Sequence, residues 1–171
     1  MSTLKVNALQ NTSGNTLTFI KQVVHVAKTD HFSVSASTGT FHDLMSASIT
    51  PSSTSSKILI QWTSNYSVNN SNQRGGFRLL RGSTAIGIGD AAGNRIRLAT
   101  SNMIVETSSE SRPASQVFLD SPSTTSAVTY KLQVLAEGGA GIISVNRSEN
   151  SSDTDTFCVG SSNIVLMEVA G

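Results

Sequence analysis

Apolar and polar residues alternate in short runs along most of this chain. In VTYKLQVLA, Val128, Tyr130, Leu132, Val134 and Ala136 fall on one face and Thr129, Lys131 and Gln133 on the other. KILIQW places Ile58, Ile60 and Trp62 together. FHDLMSASI does the same for Phe41, Met45, Ala47 and Ile49, with Asp43 as the exception. A period of two marks half-buried β-strands. Shorter runs at 23–27, 77–80, 95–98, 117–119, 142–145 and 164–169 predict further strands. Turn chemistry separates them, as in TPSSTSSK, NNSNQRGG, LDSPSTTS and EGGAG. No window carries the spacing of an amphipathic helix. Short strands divided by polar turns predict an all-β fold, a β-sandwich or jelly-roll-like head.

Residues 1–21 differ from the rest. TLKVNALQ and NTLTFI offer Leu4, Val6, Leu9, Leu17 and Phe19 in an otherwise polar stretch. Such a segment cannot build its own core and needs a surface to lie on. The expected division is an attachment arm over 1–21 and a β-sandwich head over 22–171.

Composition supports the strands. Of 171 residues, 29 are Ser and 18 are Thr, while only 13% are charged. Thr suits strands, Ser suits turns, and the Lys and Glu that fill exposed helices are scarce. A formal net charge of +1 supplies no field for nucleic acid or an anionic membrane. No run approaches the roughly 20 apolar residues of a membrane helix, so no membrane insertion is expected. The opening residues lack the pattern of a signal peptide, and synthesis in a cytoplasm is expected. The single Cys158 cannot close an intrachain disulfide.

Candidate chemistry is sparse. GIGDAA at 87–92 fits the dinucleotide fingerprint G-x-G-x-x-A, but that motif works only where a helix follows. Here Gly93, Asn94 and the strand-like RIRLAT follow, so the glycines read as bends. Arg78, Arg81, Arg95 and Arg97 cluster around this stretch. They either meet a phosphate or carboxylate ligand or pair with Asp90, Asp120 or Glu106 in a structural layer. His25, His31 and His42 lack metal-ligand spacing. Glu149, Asp153 and Asp155, with Asn150, form either a solvated loop or a weak cation site, without the EF-hand pattern. Nothing selects a nucleophile, a carboxylate pair or a cofactor, so neither an enzyme nor a cofactor is expected.

Several stretches together resemble small tail-fibre-like virion structural proteins of marine tailed bacteriophages, of the kind carried by cyanophages. The opening STLKVNALQNTSG is similar to the short segment that begins many of them. SITPSSTSSKILI, FRLLRGSTAIGIGDAAGNR, FLDSPSTTSAVTYKLQV, ISVNRS and SNIVLMEVAG follow as successive blocks. The resemblance covers nearly the whole chain. It implies a trimeric β-rich module on the virion, host attachment and no catalytic residues. A long shaft usual in fibres is missing here, which also admits a short knob, an adaptor-bound stub or a capsid decoration. The expected partners are two further copies, other virion proteins through the arm, and a bacterial surface glycan or protein. For the last, exposed polar loops on a rigid sandwich are the natural place. SNYSVNNSNQRGG points to Asn65, Tyr66, Asn69, Asn70, Asn72 and Arg74 as a surface-binding loop.

Overall fold

The computed structural model describes Ser13 and residues 19–36, 39–69, 74–100, 103–137, 141–150, 152–155 and 157–171. These residues form strands and no helix. In chain order the strands are β1 (Ile20–Lys28), β2 (Phe32–Ala36), β3 (Thr40–Ile49), β4 (Lys57–Val68), β5 (Arg74–Arg81), β6 (Thr84–Ile86), β7 (Met103–Ile104), β8 (Arg112–Asp120), β9 (Val128–Glu137), β10 (Gly141–Val145) and β11 (Ser162–Val169). One sheet has the order β1-β11-β4-β10-β2, with β8 on the other edge of β4; the second runs β3-β9-β5-β6, with β7 also on β5. All pairings are antiparallel.

Three pairs read as single interrupted strands: β6 and β7 along β5, β10 and β11 along β4, and β1 and β2 along β11 and β10 in turn. Joining each pair leaves eight strands, ordered 1-8-3-6 in one sheet and 2-7-4-5 in the other. That interleaving is the jelly roll, two nested Greek keys closed face to face.

The core is what the alternation predicts. Ile58, Ile60, Trp62, Tyr130, Leu132 and Val134 are all buried between the sheets. Trp62 and Tyr66 of β4 meet Phe77 of β5 across the sandwich, at centroid distances of 5.4 Å and 6.4 Å. The Asp43 exception has a cause. The β3–β9 register slips between Asp43 and Met45, leaving Leu44 as an extra residue. That bulge resets the phase, so Phe41 and Asp43 lie outside while Met45, Ala47 and Ile49 lie inside. On the outer side Phe41 carries the Arg78 guanidinium, 3.3 Å from its ring centroid.

Buried polar groups tie the ends of the sandwich. Asp120 of β8 accepts from Arg81 Nη1 at 2.9 Å and from the Tyr130 hydroxyl at 2.7 Å, joining the two sheets. Where β1 breaks from β2 and the chain leaves β10, Asn146 donates from Nδ2 to the carbonyls of Lys28 and Asp30. Its Oδ1 accepts from Ser162, whose hydroxyl also meets Ser64. Asn146 sits at φ 69°, a left-handed conformation that Asn tolerates better than most residues.

The expected strand at 95–98 does not form. A strand needs a free neighbouring edge, and β6, Ala99 and β7 already occupy that side of β5. Four alternating residues cannot compete with that pairing, and both arginines and Ile96 stand in solvent.

Candidate functional site

The excursion from Gly87 to Leu98 leaves the edge of β5 and returns to it. Gly87, at φ 59°, turns the chain out, and its carbonyl accepts from Gln116 Nε2 at 2.5 Å. A side chain here would be strained, and its Cβ would lie 3.0 Å from the Phe118 ring. Gly93, at φ 60°, turns the chain back. The Gly89 amide closes the neck on the Leu98 carbonyl at 3.2 Å, and Arg97 Nε donates to the Gly89 carbonyl at 2.6 Å. On return, the Ala99 amide donates to the Phe77 carbonyl and the Phe77 amide to Thr100 Oγ1. GIGDAA is therefore the first half of a closed loop with no helix behind it, which removes the geometric basis of a dinucleotide site.

This loop roofs the outer face of β9 and encloses an open cleft of about 570 Å³. Leu135 forms its floor, opposite Gly76, which carries no side chain to fill the space. Asp90, Asn94, Arg95, Arg97 and Glu137 supply its polar groups. Among the described residues the Arg95 side chain makes one hydrogen bond, from Nη1 to the Ala92 carbonyl at 3.3 Å. Among the described residues neither Arg95 nor Arg97 pairs with a carboxylate. One carboxylate oxygen of Glu137 is buried and lacks a hydrogen-bond partner among them.

The arginine cluster read from the sequence thus divides. Arg78 stacks on Phe41 and donates to Gln133, and Arg81 pairs with the buried Asp120, so these two are structural. Among the described residues Arg95 and Arg97 join no salt bridge, and Asp90 pairs with neither of them.

The polar loop expected to bind a surface is only partly exposed. Asn69 is exposed, yet its Oδ1 accepts from the Ile142 amide at 2.8 Å and caps the β4–β10 pairing. Asn65 Oδ1 accepts from the Asn146 amide at 2.7 Å. Arg74 is exposed at the start of β5. Asn70 and Asn72 lie outside the described residues. Tyr66 departs from the expectation: it is fully buried, because β4 continues straight through it and its position falls on the core side. Its ring fills the space left by Gly75, where a Cβ would come within 2.5 Å of the hydroxyl oxygen. That hydroxyl has no partner among the described residues, and burial pushes its pKa up. Tyr66→Phe is therefore expected to leave stability unchanged or raise it by up to about 1 kcal/mol, since it removes only an unpaired polar atom. A urea titration checks this; a loss above about 1 kcal/mol would mean the hydroxyl is bonded.

Other candidates separate. His25 meets Asn163, His31 meets Ser144, and the His42 Nε2 is buried without a partner among the described residues, so the three imidazoles occupy different surroundings. Glu149 bonds the Ser144 hydroxyl, while Asp153 and Asp155 are exposed; among the described residues no three metal-ligating side chains gather. Of the arm residues, Phe19 is described and 64% exposed, with its carbonyl held by the Ala170 amide at 2.9 Å. Leu4, Val6, Leu9 and Leu17 lie outside the described residues.

A second surface was not visible in the sequence. On the outer face of the first sheet, Val23, Met167, Leu59 and Leu119 stand side by side across four strands. The next row is His25, Val165, Gln61 and Val117. Val117 is 62% exposed, Val23 57% and Leu119 48%. Lys57 stands at the end of this band, two residues from Leu59.

No protein-family model matches the chain, and no curated protein is similar to it. Among solved structures it is similar to the infectious bursal disease virus VP2 subviral particle, with a TM-score of 0.48 and 14% identity. It is also similar to the Gx strain of infectious bursal disease virus, with a TM-score of 0.47 and 15% identity. Each comparison covers 98% of this chain and 42% of the other, so the chain spans about two fifths of their length. The strand order, not this distant likeness, is what defines the fold.

Proposed function

We propose that this chain is a virion structural protein of a tailed bacteriophage. In this reading it is a short tail-fibre or knob module that assembles as a homotrimer and takes part in host-surface attachment. The observation that carries the structural part is the bare apolar band of Val23, Leu59, Val117, Leu119 and Met167. Contiguous apolar surface of this kind marks an interaction site more often than a free face of a monomer. The jelly roll supports the same reading, because it is a rigid closed sandwich used repeatedly in virus particles. The ordered sequence blocks shared with tail-fibre-like proteins supply the phage. Residues 2–20 serve as the arm that docks on another virion protein or a neighbouring subunit.

A capsid decoration or other particle-stabilising protein without a receptor role is the second reading. The direct passage from arm to head, with no shaft, favours it. Both need the apolar band; only the first needs contact with the host.

Light scattering on the full chain is expected to give a trimer's mass. Val117→Glu combined with Leu119→Glu should yield a folded monomer, because charges cannot be buried unpaired in an apolar contact. Removal of residues 2–20 should leave the head folded and abolish entry into virions. A stable wild-type monomer that enters virions without its arm would overturn the assembly reading. Adhesion of the labelled trimer to host cells separates attachment from decoration.

A further inference from the structure

We infer that the cleft beneath the 87–98 loop is a binding site for an acidic saccharide, one carrying a carboxylate beside several hydroxyls. This rests on the attachment reading above and names its ligand. The cleft, at about 570 Å³, lies within the roughly 300–1,000 Å³ of small-ligand sites and has room for one or two sugar units.

Its chemistry is balanced. Arg95 and Arg97 hold two guanidiniums that no carboxylate neutralises among the described residues. The Arg97 Nε is anchored to the loop's own backbone at Gly89, which orients the terminal nitrogens without consuming them. A guanidinium held this way binds a carboxylate through two parallel hydrogen bonds. Asp90 is exposed in the cleft lining and pairs with no cation among the described residues. Carboxylates of this kind accept from sugar hydroxyls. Ile96, 43% exposed, gives an aliphatic surface that the C–H face of a pyranose covers.

The mixture also selects against other ligands. A phosphodiester or sulfated polymer carries its charges close together and meets repulsion from Asp90 and Glu137. A neutral sugar leaves both guanidiniums without an anion. A ligand with one carboxylate and several hydroxyls satisfies both sets of groups.

The test is calorimetric titration of the full-length protein with oligosaccharides of galacturonic, glucuronic and sialic acid. Methyl-esterified oligogalacturonate, dextran and dextran sulfate serve as controls. Saturable binding to at least one carboxylated oligosaccharide is expected, together with its loss on esterification. Arg95→Gln should weaken that binding about tenfold or more at an unchanged melting temperature, as expected for a lost charge-assisted bond. Asp90→Ala should weaken it several-fold. Binding to none of the three acids overturns the inference, as does tighter binding after Asp90→Ala or equal binding of dextran sulfate. A negative result here leaves the trimer mass and virion entry untouched, so the site and the assembly fail separately.

Discussion

Replacing Trp62 by alanine is expected to lower the unfolding free energy by about 3–5 kcal/mol. Trp62 is 1% exposed and sits between the sheets, its ring tilted 51° against Phe77. Truncation removes the largest side chain of the core and leaves a space bounded by strands paired on both sides, which cannot close without breaking ladders. With ordinary stabilities of about 5–15 kcal/mol, the variant retains little margin. Urea unfolding followed by circular dichroism measures the loss. A change below about 0.5 kcal/mol would place Trp62 outside the core. Trp62→Phe isolates the smaller polar contribution. The indole Nε1 donates to Gln116 Oε1 at 3.4 Å, and Gln116 holds the Gly87 carbonyl. Phenylalanine keeps most of the ring packing and loses that donor.

The second large effect belongs to Glu168, whose carboxylate is buried at the end of β11. Oε1 accepts from the Ser52 amide at 2.8 Å, the Ser52 hydroxyl at 2.6 Å and the Ser56 hydroxyl at 2.7 Å; Oε2 accepts from Gln22 Nε2 at 2.7 Å. Burial alone would raise its pKa. The four donors favour the charged form more strongly and lower it from 4.5 to about 2. That difference corresponds to about 3 kcal/mol. Because the folded pKa is the lower one, this stability is present above pH 4.5 and is lost as the pH falls toward 2. Glu168→Gln is expected to cost about 2–3 kcal/mol near neutrality, since its amide group sets a donor against donors. The same variant should lose much of the stability change between about pH 5 and 2. Unfolding of both proteins across that range measures the difference, which cancels the exposed Asp43 and the half-buried Glu110. Parallel curves for the two proteins would show that Glu168 is not the group that titrates.

Strands were legible wherever one face is core and the other solvent, as in β9 and the first half of β4. The phase failed where that contrast ended. Tyr66 belongs to the core, but Asn65 and the asparagines after it made it read as loop. The 95–98 run imitates a strand because Arg and aliphatic residues alternate there by chance of loop composition. The cleft residues Asn94 and Glu137 carried no motif. Glu137 ends the strongest strand in the chain and Asn94 follows a glycine, and neither fact says that they share a cavity.

Sequence by itself determined the all-β class, the inward residues of the long strands, and the reading of GIGDAA as a bend. These depend on period two and on glycine's backbone freedom, both of which act within a few residues. Only the tertiary structure decided the jelly-roll order, the apolar band and the cleft. The band exists because single exposed apolar residues on β1, β11, β4 and β8 are brought into register by hydrogen bonding between segments far apart in the chain. The cleft exists because the edge of β5 is occupied, so the 87–98 segment must arch over β9 and carries Arg95 and Arg97 above Leu135 and Glu137. Pairing between distant strands leaves no local trace, and that is why alternation alone located the core and not the surfaces that it supports.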